Sequence, residues 1–215
     1  MELTGNIHMK AFIYTGGSIL PENITEHPKG DDLIIAADAG CLNAKKLGVT
    51  PNIVLGDFDS MTEKDIPENA EILRVPAEKD FTDTQLAVDT ALKNGANDIV
   101  IIGGLDGRLD HTLSNLSILE DLNAKRVHAV ILDGKNRIRY INSTSTLVAR
   151  SGYRYLSLLC LSDKAKGVSV EGCKYPLNNA TLERKFQYAV SNEITGNCAL
   201  VSVRKGGIFV IESRD

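Results

Sequence analysis

Leu33-Ile34-Ile35-Ala36-Ala37 runs straight into Asp38-Ala39-Gly40, and Ile53-Val54-Leu55 runs into Gly56-Asp57-Phe58-Asp59-Ser60. Each is a short apolar, β-rich run that stops in an acidic turn, and Cys41 to Leu47 between them has the pattern of a helix. The same alternation extends in both directions. Ala11 to Tyr14, Ile72 to Val75, Asp98 to Ile102 and Val127 to Leu132 are further strand candidates, with helices expected around Thr84 to Lys93 and Leu109 to Asn123. Strands alternating with helices build a parallel sheet with crossover connections. After Gly134 the pattern changes to short alternating segments, Arg137 to Ile141, Tyr153 to Leu159, Gly167 to Val170, Leu200 to Val203 and Ile208 to Ile211, separated by Gly, Asn, Ser and Asp. That reads as an antiparallel β-domain. The expected architecture is therefore α/β, an N-terminal Rossmann-like parallel sheet over residues 1–135 and a smaller C-terminal antiparallel β-sandwich over 136–215.

Composition excludes several classes. The 215 residues are 43% hydrophobic and 24% charged, which is ordinary for a globular chain. A net charge of −4 without a basic run argues against nucleic acid as a partner. No apolar stretch approaches the ~20 residues that span a bilayer, and Met1 to Lys10 lacks the apolar core of a signal peptide, so no membrane partner and a cytoplasmic location are expected. Cys41, Cys160, Cys173 and Cys198 are widely spread, without metal-ligand spacing, and read as reduced thiols.

In open α/β sheets ligands bind outside the carboxyl ends of the strands. Acids cluster there: Asp38; Asp57 and Asp59; Asp80 and Asp83 in Glu78-Lys79-Asp80-Phe81-Thr82-Asp83; Asp106 and Asp110 in Gly103-Gly104-Leu105-Asp106-Gly107-Arg108-Leu109-Asp110-His111. Carboxylates gathered on one rim repel one another unless a cation shares them, and the hard-oxygen set points to Mg²⁺. Any single Asp here also has an ordinary use as a helix cap or turn acceptor. Gly103-Gly104 allows a phosphate to approach the backbone near a helix start, or simply reverses the chain. Lys79 and Arg108 are either phosphate ligands or partners of the neighbouring acids. His111 either contacts substrate, as hydrogen-bond donor or proton carrier, or bonds a nearby Asp. Neither a GxxxxGK[ST] loop nor a GxGxxG fingerprint is present.

These pieces, with Gly172-Cys173-Lys174-Tyr175-Pro176-Leu177 and Ser191-Asn192-Glu193, resemble the thiamine pyrophosphokinase family from about Ala11 to Ile211. The resemblance implies an α/β domain binding ATP and Mg²⁺, a β-sandwich binding thiamine, and a homodimer with thiamine at its interface. It implies transfer of the pyrophosphoryl group of ATP to thiamine, with AMP released. Carried onto this sequence, Asp57, Asp59 and Asp80 hold the metal, and Asp38, Lys79, Gly103, Gly104, Arg108, Asp110 and His111 serve ATP. Asp83 faces thiamine and is the first candidate for a base, and Tyr175, Ser191 and Asn192 belong to the thiamine pocket. Gln85 and Cys173 depart from the family's usual acid and Leu at those positions. From the residues alone, a Mg²⁺-dependent phosphohydrolase and a non-catalytic thiamine or nucleotide sensor are the rivals.

Overall fold

The structure is a computed structural model and describes residues 8–58, 66–76 and 80–215. Its contacts divide the chain into two compact units, Met1–Gly134 and Lys135–Asp215. Among the described residues no helix is long and apolar enough to cross a membrane.

The first unit contains β1 (Lys10–Tyr14), β2 (Leu33–Ala37), α1 (Gly40–Lys46), β3 (Ile53–Gly56), β4 (Glu71–Arg74), α2 (Asp83–Lys93), β5 (Asp98–Ile102), α3 (Leu109–Ala124) and β6 (His128–Leu132). The strands pair in parallel in the order β4-β3-β2-β1-β5-β6. Burial explains the composition of each. β1 and β5, at the centre, bury Ala11 to Tyr14 and Ile99 to Ile102, as strands covered on both faces must. β4, at the edge, leaves Glu71, Ile72 and Arg74 exposed. α1 covers the face carrying Phe12, Tyr14, Ala36 and Val54, and buries Cys41 and Ala44 against them. Its entry is tight, since a Cβ on Gly40 would collide with the Tyr14 carbonyl oxygen. α2 packs on β1, β2 and β3 through Ala87, Val88 and Ala91. α3 buries Asn115, Ile118, Leu119 and Leu122, the spacing of one helical face.

The second unit is a sandwich of β7 (Asn136–Asn142), β8 (Ser145–Ala149), β9 (Tyr155–Leu159), β10 (Lys164–Glu171), β11 (Leu177–Glu183), β12 (Cys198–Ser202) and β13 (Gly207–Ser213). One antiparallel sheet runs β7-β13-β9 and the other β11-β10-β12-β8. Ile141, Leu156, Leu158, Ile208 and Val210 from the first interlock with Val148, Ala165, Val168, Val170, Leu182 and Val201 from the second. Period-two alternation sends these inward and their neighbours to solvent. A charged network is also buried here: Glu212, 2% exposed, accepts from Arg137 Nε and Nη2 at 2.8 Å each and from Arg139 Nη2 at 2.8 Å. β8 and β11 fall outside the strands expected from sequence.

Candidate functional site

From β1 the chain steps outward through β2 and β3 to β4, then returns to place β5 on the other side of β1. The carboxyl ends of β1 and β5 therefore flank a topological switch point, where an open α/β sheet leaves a crevice. The crevice is a cavity of about 500 Å³. Thr15, Gly16 and Gly17, after β1, form one part of its wall, and Gly104, Asp106, Gly107 and Arg108, after β5, another. Asp38 and Ala39 come from the end of β2, Phe81, Thr82, Asp83 and Thr84 from the start of α2, and His111 and Asn115 from α3.

Close packing holds the two central loops together. Gly104 N–H donates to the Gly16 carbonyl at 3.2 Å and Gly103 N–H to the Leu132 carbonyl at 2.9 Å. Gly103 and Gly104 have φ of 96° and 73°, and a Cβ on either would lie 2.8 Å from Thr15 Oγ1 or 2.7 Å from Asn115 Nδ2. Only glycine meets both demands. The pair thus fixes the loops to each other: Gly104 reaches the cavity wall, while Gly103 lies outside the lining.

Asp38 has a left-handed backbone, φ 46°, held by its N–H donating to the Leu55 carbonyl at 2.7 Å. Such a conformation in a non-glycine residue persists only where its surroundings fix it, and it is concentrated at functional sites. Gly56 packs against it, with a hypothetical Cβ 3.2 Å from the Asp38 Cα, so Asp57 leaves β3 beside Asp38 but outside the cavity lining. Asp83 occupies the first turn of α2, whose N-cap Thr82 accepts from Gln85 N–H at 3.2 Å. Asp80 is exposed and is not part of the lining. Asp59 and Lys79 lie outside the described residues.

Arg108 and Asp110 form a two-point ion pair, Nε to Oδ1 at 3.1 Å and Nη2 to Oδ2 at 2.6 Å, and His111 N–H adds a bond to Asp110 Oδ1 at 3.0 Å. The Arg108 guanidinium, ahead of the smaller effect of the His111 N–H, holds the Asp110 carboxyl down at about 2. Of the three, Arg108 and His111 line the cavity and Asp110 does not. The Ser18 hydroxyl and N–H, with the Gly107 N–H, hold the Asp106 carboxyl below the usual carboxylate range.

In the second unit Asn192 pins Tyr175: its Oδ1 accepts Tyr175 N–H at 3.0 Å and its Nδ2 donates to the Tyr175 carbonyl at 2.7 Å. Both line a second cavity of about 140 Å³, walled by Leu156, Leu158, Val170, Leu177 and Tyr188 among others. Ser191, at φ 57°, lies outside that lining and donates its N–H to Ser157 Oγ at 3.0 Å.

Thr15, Gly16, Gly17, Phe81 and Asn115 line the cavity without being site candidates from the sequence, and Asp106 is a candidate there only as one of the acids on the rim. Thr15-Gly16-Gly17 directly follows an apolar strand, so the rule that singled out the acidic turns could have found it. Nothing comparable flags Asn115, a helix-interior residue.

Two family descriptions match the chain: "Thiamin pyrophosphokinase, catalytic domain" over residues 25–131 and "Thiamin pyrophosphokinase, vitamin B1 binding domain" over 144–208. The thiamine pyrophosphokinase of Bacillus subtilis is 31% identical over 210 residues, covering 94% of this chain and 98% of that one. The chain belongs to the thiamine pyrophosphokinase family. Its likeness to thiamine pyrophosphokinases reaches beyond bacteria, to thiamin pyrophosphokinase 1 of Caenorhabditis elegans, 29% identical over 180 residues, 80% of this chain and 74% of that one. The crystal structure of the Bacillus subtilis thiamine pyrophosphokinase superposes with a TM-score of 0.86 at 28% identity, over 96% of this chain and 99% of that one. An α/β domain followed by a β-sandwich is thus the family architecture, and this chain has both halves.

Proposed function

We propose that this chain transfers the pyrophosphoryl group of ATP to the hydroxyl of thiamine, giving thiamine diphosphate and AMP. The observation that carries the reading is the polar cavity at the β1/β5 switch point, in a chain whose halves match the catalytic and vitamin B1 binding domains of one family. In this reaction the thiamine hydroxyl oxygen forms a bond to the β-phosphorus. The bond from that phosphorus to the oxygen bridging it to the α-phosphorus breaks, and AMP leaves with that oxygen. The hydroxyl proton is lost, and Asp83 is the acceptor we assign, with His111 as the alternative. Positioning and charge neutralisation supply most of the catalysis of such transfers.

The donor set suits Mg²⁺. Asp38, Asp83 and Asp106 line the cavity, against Arg108, itself shared with Asp110. This wall is negative, and a bare triphosphate would be repelled from it, whereas one accompanied by a divalent cation would not. Among the described residues no three His, Cys, Asp or Glu side chains form a ready cage. Mg²⁺ takes one or two carboxylates and completes its shell with water and phosphate oxygens. Asp57, Asp59 and Asp80 are the residues we assign to hold it, and there it would neutralise triphosphate charge. Asp38, Lys79, Gly103, Gly104, Arg108, Asp110 and His111 are assigned to ATP, in the α/β unit. Tyr175, Ser191 and Asn192 are assigned to thiamine, in the sandwich, at the interface of a homodimer in the cytoplasm.

The products test the reading. With ATP, thiamine and Mg²⁺, early time points should show AMP rising in step with thiamine diphosphate, without thiamine monophosphate as an intermediate. ADP with thiamine monophosphate as first products would overturn it, and ATP hydrolysis indifferent to thiamine would favour a phosphohydrolase.

A further inference from the structure

Two buried asparagines hold the cavity loops, and the second of them also lines the cavity. Asn43, on α1 and 2% exposed, donates from Nδ2 to the Thr15 carbonyl at 2.8 Å and to the Gly17 carbonyl at 2.9 Å. Its Oδ1 accepts from Lys46 Nζ at 3.2 Å. Asn115, on α3 and 4% exposed, donates from Nδ2 to the Gly104 carbonyl at 2.8 Å. The remaining carbonyl of the first loop, that of Gly16, accepts the Gly104 N–H. The carbonyls of Thr15, Gly16, Gly17 and Gly104 are therefore all engaged within the fold. Gly16 and Gly17 line the cavity, and their N–H groups find no acceptor among the described residues.

This division of donors and acceptors has a chemical sense. A carbonyl oxygen turned towards a phosphate repels it, and an amide N–H attracts it. Holding the carbonyls takes buried groups that donate without carrying charge, and a primary amide has two such N–H bonds. We propose that Asn43 and Asn115 are positioning residues: they turn the loop carbonyls after β1 and β5 away from the cavity, so that the Gly16 and Gly17 N–H groups serve the phosphates of the nucleotide. The proposal rests on the reading that the cavity takes ATP.

Asn43→Leu and Asn115→Leu keep the side chain neutral and of similar size but take the donor away from the held carbonyls. Each should raise the KM for ATP by about tenfold or more, the scale of a lost buried bond with its partner unpaired, while the KM for thiamine moves by less than about twofold. By calorimetry with Mg²⁺ present, affinity for inorganic tripolyphosphate should fall by the same factor as that for ATP, and affinity for adenosine should hold. Asn43→Ser and Asn115→Ser, which keep a shorter donor, should fall between wild type and the Leu forms, and they provide the readout if thermal melts show the Leu forms unfolded. Unchanged tripolyphosphate affinity in folded variants would overturn the proposal. So would an equal loss for tripolyphosphate, adenosine and thiamine, which marks general distortion. A wild-type protein that binds tripolyphosphate but makes no thiamine diphosphate would refute the assigned reaction, and the calorimetric comparison would still decide the role of the asparagines.

Discussion

Asp110 is exposed, yet two bonds from Arg108 and one from the His111 N–H bring its carboxyl down to about 2. The unfolded chain's Asp titrates near ~3.9, so the folded value is depressed. The sign follows: the stabilisation by this pair is fully present above the unfolded value and is lost as pH falls through about 2. A carboxyl-carbon NMR titration should place the Asp110 midpoint near 2, and Arg108→Gln should return it towards ~3.9. A wild-type midpoint at the ordinary value would show that the pair does not persist in solution. Individual residues differ in how far the sequence reveals them. Asp38, Asp83 and Arg108 are legible because charge directly after an apolar strand, or at a helix start, is conspicuous. Asn43 and Asn115 are not, because their partners are carbonyls on other segments and an asparagine within a helix looks merely neutral. Gly40 is hidden for the same reason, its necessity residing in the Tyr14 carbonyl it abuts.

Among the elements, α2 brings Asp83 to the cavity, and its first turn depends on one cap. Thr82, at φ −70° and ψ 158°, accepts from Gln85 N–H, satisfying a donor that the helix itself leaves open. Thr82→Ala should cost about 1 kcal/mol of stability in urea unfolding. Because Asp83 rides on that turn, turnover should fall more than the stability loss explains, and Thr82→Ser should restore both. Unaltered turnover in Thr82→Ala would detach Asp83 from the chemistry. The parallel half of the fold is readable because β2, β3 and β5 are apolar runs that end in or run straight into Gly or Asp, and β1 is one that runs into Thr15-Gly16-Gly17. The sandwich is readable only in part. β11 lies at a sheet edge, carries Asn178-Asn179 and buries only Leu182, so little in its sequence announces a strand. β8, at the opposite edge, likewise buries only Val148.

For the whole molecule, assembly is the first question. Tyr175, Tyr188 and Val190, which line the second cavity, are 60%, 43% and 47% exposed, and Phe186, in ring contact with Tyr188, is 68% exposed, an apolar grouping of a kind that lone chains rarely leave to water. Sedimentation should show two chains per particle, with an isologous interface. A fully active monomer at micromolar concentration would remove the shared thiamine pocket. Both units were foreseeable in outline, since the change of period after Gly134 is visible in the chain. The cavity was less so, because its walls come from segments that only the finished sheet brings together. The bond from Ser18 N–H to Asp106 Oδ2 joins residues 88 apart, as does the pairing of Lys10 with Asp98. Contacts of such separation form late, after long loops have been closed at an entropic cost. A fluorescent ATP analogue present during refolding should therefore give its signal only in the slowest phase that restores native structure, and binding by an early collapsed species would contradict this. A chain emerging from the ribosome would have finished β1 and its glycine loop long before β5 existed, and would hold no nucleotide until the second half of its switch point arrived.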